Sequence, residues 1–223
     1  MPVDTQIKSR SRVRDLGEVF TGETEVNAML DLVGDLAYDP SSRFLEPACG
    51  NGNFLVEILQ RKLVRADTHY RKTRRKRTES REAFEFRRQD EYEFLMFIAV
   101  TSIYGIDISP ENVEQARKRL SIHTLEHCTA HPRNALKPSE LLPKAIDDVL
   151  GTNIVVGDSL NHLDQILLTE YTFPGTDVAK SVFAFKVQPR KFTYDTLVTA
   201  ARAGKNPKPV KVGRLSHYLE VSV

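Results

Sequence analysis

Residues 44–54 read Phe-Leu-Glu-Pro-Ala-Cys-Gly-Asn-Gly-Asn-Phe, a short apolar run that ends in a glycine-bearing turn and leads straight into a helical pattern. This order constrains the chain more than any other stretch. It describes a strand, a tight loop and a helix N-terminus, the arrangement by which α/β proteins hold nucleotide-like ligands. Gly50 and Gly52 lack a Cβ and reach positive φ, so the backbone can turn sharply and lie against a ligand. The first N–H groups of the helix from about Asn53 then face a carboxylate or phosphate, which the helix dipole favours. A Gly-x-Gly alone is also an ordinary tight turn.

Two further apolar runs end in the same way. Ile103 to Ile108 predicts a buried parallel strand with Asp107 near its carboxyl end, followed by Ser109 as N-cap and Pro110 at the first helical position. Val113, Ala116 and Leu120 give that helix its inner face. Asn153 to Leu160 predicts a third strand that ends in Asp158. Three strand ends that carry Gly-x-Gly, Asp and Asp in that order imply one ligand-binding sheet edge. A dinucleotide fold would add a third glycine at position 55, where this chain has Leu55. Ahead of these strands, Val26, Met29, Leu30 and Val33 have the spacing of an amphipathic helix capped by Thr21 or Gly22, and Asp39-Pro40-Ser41-Ser42 signals a turn. Phe54, Leu55, Ile58 and Leu59 mark the buried face of the helix after the glycine loop, and the apolar run from Tyr92 to Thr101 predicts another buried helix.

The segment Glu46-Pro47-Ala48-Cys49-Gly50-x-Gly52-x-Phe54 closely resembles the first motif of S-adenosylmethionine-dependent DNA methyltransferases that modify exocyclic amino groups, above all the adenine-N6 kind of restriction-modification systems. The resemblance implies an α/β, Rossmann-like class I methyltransferase domain with a mainly parallel sheet and flanking helices, incomplete on its C-terminal side. It implies S-adenosyl-L-methionine as cofactor. Phe20 and Thr21, in Gly17-Glu18-Val19-Phe20-Thr21-Gly22, match a segment that closes over the methionine end, with Gly22 where proline is usual. Glu46, Ala48, Gly50 and Gly52 would line the loop. Asp107, with Ile108, would hold the ribose, and Asp158, with Ser159, would meet the adenine.

The resemblance breaks at the family's fourth motif, Asp/Asn/Ser-Pro-Pro-aromatic, because none of the eleven prolines is adjacent to another. Ser181 to Val187 predicts a fourth strand. Gln188, Pro189 and Phe192 then stand where the motif belongs, and they are the catalytic candidates: Gln188 to accept the target amino protons and Phe192 to stack on a flipped base. Asn206-Pro207-Lys208-Pro209 is a second near miss. Tyr218 to Val223 predicts a last strand. A rival reading is a cofactor-binding subunit or fragment without methyl transfer, paired with a second subunit that supplies target recognition.

Charge adds one partner. The chain carries only +2 overall, yet residues 61–90 hold twelve basic against five acidic residues. This basic insertion within a single 1–223 domain predicts salt-sensitive DNA contact, against the alternative of a solvated insertion. Cys49 and Cys128 have no C-x-x-C spacing, which fits a reducing cytoplasm. His123, His127, Cys128 and His131 lack a completing carboxylate, so no metal site is expected. A polar N-terminus and the lack of a long apolar run predict neither secretion nor membrane spanning.

Overall fold

The computed structural model describes residues 22–130 and 137–221. Helix α1 (Glu23–Val33) has Gly22 as N-cap and runs into a 3-10 turn, Gly34–Tyr38. The Asp39 carboxylate then accepts from the Ser41 amide and from the Ser41 and Ser42 hydroxyls, at 2.8–3.0 Å. This turn, expected from its composition, feeds β1 (Phe44–Glu46).

Two long helices, α2 (Asn53–Lys72) and α3 (Arg81–Thr101), carry the chain from β1 to β2 (Ile103–Asp107). Here the structure corrects the expected insertion. Leu63, Ala66 and Tyr70 continue the apolar stripe of α2 through the charge-rich stretch, and α3 is buried at Gln89 and from Glu91 onward. Residues 61–72 and 81–90 are therefore parts of core helices, and only the tip between them is loop.

Helix α4 (Pro110–Ala130) and helix α5 (Leu142–Asn153) lead to β3 (Ile154–Val156). Strands β1, β2 and β3 pair side by side and parallel, with Leu45 opposite Tyr104 and Asp107 opposite Val156. One face of this sheet, with Ile103 and Ile154, packs against the helices in the main core. The other, with Tyr104 and Ile106, forms a second core with Ile166 and Leu168.

The expectation of a mainly parallel sheet holds only this far. From Gly157 to Ile166 the link is too short for a crossover helix, which takes a dozen or more residues. Strand β4 (Leu167–Thr172) instead starts an antiparallel sheet with β5 (Lys186–Thr193), β6 (Lys211–Val212) and β7 (Ser216–His217), and helix α6 (Tyr194–Arg202) follows β5. The expected fourth strand over 181–187 is corrected accordingly: pairing begins at Lys186. The expected last strand from Tyr218 is a 3-10 turn, Tyr218–Glu220, because the ring of Tyr218 is fully buried among Phe94, Phe97 and Phe185. Among the described residues no helix is long and apolar enough to cross a membrane.

Lys62 ties α2 to the turn before β1. Its side chain is fully buried, and its Nζ donates to the Asp39 carbonyl at 2.7 Å and to the Ser42 carbonyl, with the Phe44 ring 4.9 Å away. Burial disfavours the ammonium form and pushes its pKa down to about 7, against a small opposing pull from Asp39. The unfolded chain keeps the ordinary value of 10.5 and so holds a proton that the folded chain releases above about 7. Stability from this group therefore rises with pH across that window. Urea unfolding at pH 7 and pH 9 is expected to register a gain on the order of 1–2 kcal/mol. Lys62→Met, less stable at both, is expected to lose that slope; an unchanged slope would remove Lys62 as its source.

Candidate functional site

The glycine loop is built by the backbone conformations that its sequence permits. Gly50 has φ 53° and Gly52 φ 87°, both left-handed. Gly52 is the N-cap of α2, and a Cβ there would lie 3.0 Å from the Ala116 Cβ of α4. The glycine thus serves both the turn and the close approach of two helices. Gly52 supplies no side-chain acceptor, and the first turn of α2 carries no acidic residue, so the positive end of the helix is left for an anion.

Asp107 joins the three strand ends. Its Oδ2 accepts from the Gly50 amide at 2.9 Å, and its Oδ1 accepts from the Ser109 amide at 2.8 Å and the Asn112 side-chain amide at 3.3 Å. Its backbone carbonyl accepts from the Gly157 amide at 3.0 Å. Ser109 does cap α4, through Oγ to the Asn112 amide. The carboxylate shares that helix start instead of leaving it to the serine.

Around this hub, Glu46 Oε1 accepts from the exposed Ala48 amide at 3.2 Å, and the Cys49 amide donates to the Ile106 carbonyl at 2.9 Å. The Cys49 thiol is buried, and desolvation together with the nearby Asp107 and Glu46 carboxylates pushes its pKa up to about 12. It is a packing residue. Ile108 is 57% exposed at the same edge, although β2 ends one residue before it. Asp158 follows Gly157 directly. Its Oδ1 accepts from the Leu160 and Asn161 amides, both at 3.0 Å, and its Oδ2 from the Asn161 side chain at 3.0 Å. These bonds, the Asn161 side chain foremost, hold its carboxyl below the ordinary range. Ser159 is half-buried beside it.

Glu46, Ala48, Gly50, Gly52, Asp107, Ile108, Asp158 and Ser159 thus lie on or beside one carboxyl edge of the parallel sheet. Phe20 and Thr21 lie outside the described residues, as does His131. Gln188, Pro189 and Phe192 are not brought to that edge. They lie within β5, paired with Thr172, Tyr171 and Leu168 of β4, and Phe192 is 1% exposed. The expected loop after a fourth strand is here the strand itself, which corrects that placement.

Two residues at the edge were missed in the sequence. Arg119 Nη1 donates to the Asn51 carbonyl at 2.9 Å and to Asn53 Oδ1 at 2.6 Å, which clamps the loop. Its signal was its place three residues after Ala116, on the helix face that meets Gly52. Asn51 Oδ1 is buried in the same loop without a hydrogen-bond partner. Among the described residues no group of three or more His, Cys, Asp or Glu is placed to hold a metal; His127 instead lies 3.1 Å from Asp67 Oδ1.

The basic stretch divides in two. Arg61 bonds Asn27 and Asp31, Lys62 is buried, Arg87 bridges Glu79 and Glu91, and Arg88 pairs with Glu85 while it stacks 4.2 Å from the Tyr70 ring. These four cations belong to the fold. Arg65 is exposed on α2, and Arg71, Lys72, Arg74, Arg75, Lys76, Arg77 and Arg81 are all exposed at the hairpin tip.

Compared with family models, curated proteins and solved structures, the chain matches none. Its class is therefore set by architecture: an α/β protein with a three-stranded parallel sheet under helices and a glycine-bearing loop at its carboxyl edge.

Gly52→Ala puts a Cβ into a left-handed backbone against Ala116. We expect a loss of about 1–3 kcal/mol in urea unfolding. A neutral result would mean that the loop relaxes freely and is not the fixed cradle described above.

Proposed function

We propose that the chain binds S-adenosyl-L-methionine at this edge, as the cofactor domain of a methyltransferase of the kind that modifies exocyclic amino groups in DNA. One observation carries the reading: a single carboxylate, Asp107, joins the glycine loop, the following helix start and the third strand end. The residues present fit the cofactor. A carboxylate has about four acceptor positions, and Gly50, Ser109 and Asn112 take three. One ribose hydroxyl enters directly, and a second displaces the Asn112 amide, whose bond is the longest at 3.3 Å. Asp158 Oδ2 holds only the Asn161 side chain, which leaves it able to accept from an adenine amino group. Ile108 and Leu160, 57% and 86% exposed, offer apolar cover to a flat ring. The loop amides and the uncapped start of α2 suit the methionine carboxylate, and the orphaned Asn51 Oδ1 suits its ammonium.

When bound, the cofactor supplies a methyl group activated on a sulfonium centre. The chain's share would be to position it and keep it oriented. A second reading, retention of the cofactor without methyl transfer, is favoured by the place of Gln188, Pro189 and Phe192 inside β5, away from the edge. Under that reading a partner subunit provides the target-binding residues. The burial of Cys49 and Cys128 fits a cytoplasmic, reducing setting for either.

DNA is the proposed polyanion partner, met by the exposed cations of the α2–α3 tip. Isothermal titration with S-adenosylmethionine is expected to give one saturable site, and Asp107→Ala to weaken it at least tenfold. Binding that Asp107→Ala leaves intact would remove this reading. Labelled methyl transfer to DNA then separates the enzyme from the non-catalytic subunit. Replacement of Arg74, Arg75, Lys76 and Arg77 by Gln, with the core helices kept, is expected to weaken DNA binding. It should also flatten the salt dependence by roughly 0.9 for each phosphate that the tip no longer neutralises; an unchanged slope would clear the tip of that role.

A further inference from the structure

We propose that the cavity between the two sheets, roofed by α6, is a second binding site, for a ligand that joins a flat ring to an anionic group. The cavity has a volume of about 620 Å³, within the range of small-molecule sites. It lies on the face of β1 and β2 that turns away from the helices, not at their tips. Neither the glycine loop nor Asp107 or Asp158 lines it.

Its floor is apolar: Leu45, Tyr104, Leu168, Phe192 and Leu197. Its rim is cationic, with Arg43, Arg190 and Lys205 against the single carboxylate of Glu170. Glu170 Oε1 pairs with Arg43 and Oε2 with Arg190 at 3.2 Å, so one carboxylate holds two guanidinium groups and leaves their remaining N–H donors for a ligand. The Arg190 guanidinium lies 5.4 Å from the Phe192 ring, which places the cation next to an aromatic surface.

The hydroxyl of Tyr104 is the second observation. Tyr104 is 7% exposed and lines the cavity, yet its phenol makes no hydrogen bond among the described residues. Burial raises its pKa, so it remains a proton donor at neutral pH. The hydroxyl is not sealed off: it meets the open space of the cavity, where a ligand oxygen can take the place of water as its partner. Both stretches that resembled a broken catalytic motif meet here: Arg190 and Phe192 from one, Asn206 and Pro207 from the other. Apolar floor, phenol and cationic rim together select a ring with a phosphate or carboxylate. A nucleoside monophosphate and an aromatic carboxylate share that chemistry.

Titration calorimetry with adenosine monophosphate, benzoate, adenosine and inorganic phosphate tests this. One or both of the first two are expected to saturate one site, with adenosine and inorganic phosphate at least tenfold weaker. Whether adenosine monophosphate or benzoate is tighter identifies the source of the anion. Tyr104→Phe and Arg190→Gln, each verified as folded by thermal unfolding, are expected to weaken binding about tenfold, and Asp158→Ala, whose hydrogen bonds stay within its own turn, to leave it unchanged. The proposal is overturned by three results: no saturation by either anion, equal affinity in Tyr104→Phe, or loss in Asp158→Ala, which would assign the ligand to the carboxyl edge of the parallel sheet. None of these results depends on whether S-adenosylmethionine binds.

Discussion

The bond from the Gly50 amide to the Asp107 carboxylate, 2.9 Å long, is the interaction on which the sheet edge depends. A loop with two left-handed glycines has little intrinsic preference for one path, because glycine adopts many conformations at similar cost. A charged acceptor at the tip of the neighbouring strand selects one of them, and charge-assisted bonds of this kind are the stronger sort. The same carboxylate fixes the start of α4 through Ser109. That helix in turn brings Ala116 against Gly52 and Arg119 onto the Asn51 carbonyl. Loop, strand and helix therefore hold one another, and the chain alone organises the edge.

The strand ends were legible in the sequence because each is a short apolar run stopped by a strong local signal: Gly50 and Gly52, then Ser109-Pro110, then Gly157-Asp158. The two core helices were legible only at their apolar ends. Between them, Lys62 occupies a buried position and Arg88 lies over Tyr70, so charge stands where periodicity looks for carbon. Long cationic side chains bury their stems and place their heads on carbonyls or rings. Composition reads that pattern as a solvated insertion. Leu59, Leu63, Ala66 and Tyr70 kept the helical spacing throughout and were the signal to follow.

The second sheet was hidden for a different reason. Pro189 looks like a motif residue or a strand breaker, since it has no N–H to give. In β5 it sits where the outer partner changes, between Val187 paired to β7 and Arg190 paired to β6, and its carbonyl still accepts from the Gly213 amide at 2.7 Å. The missing donor falls at a gap in the ladder and costs little. Burial skips from Pro189 to Phe192, which breaks the strict alternation that marks a strand in sequence.

The parallel strands serve two regions at once through the alternation of their side chains. Ile103 and Gly105 face the helices, and Leu45 and Tyr104, paired in register, face the second sheet. At the tips, Glu46 and Asp107 face solvent and the glycine loop. A strand of three residues, such as β1, has no spare positions. A slip of one residue would turn Leu45 toward the helices and Phe44 toward the cavity, and would break the Lys62 contact with the Phe44 ring. Register is held from both ends, by Lys62 on the turn before β1 and by Asp107 on the loop after it. The two polar contacts that lie furthest from each other along this short strand thus decide which side chains each face presents.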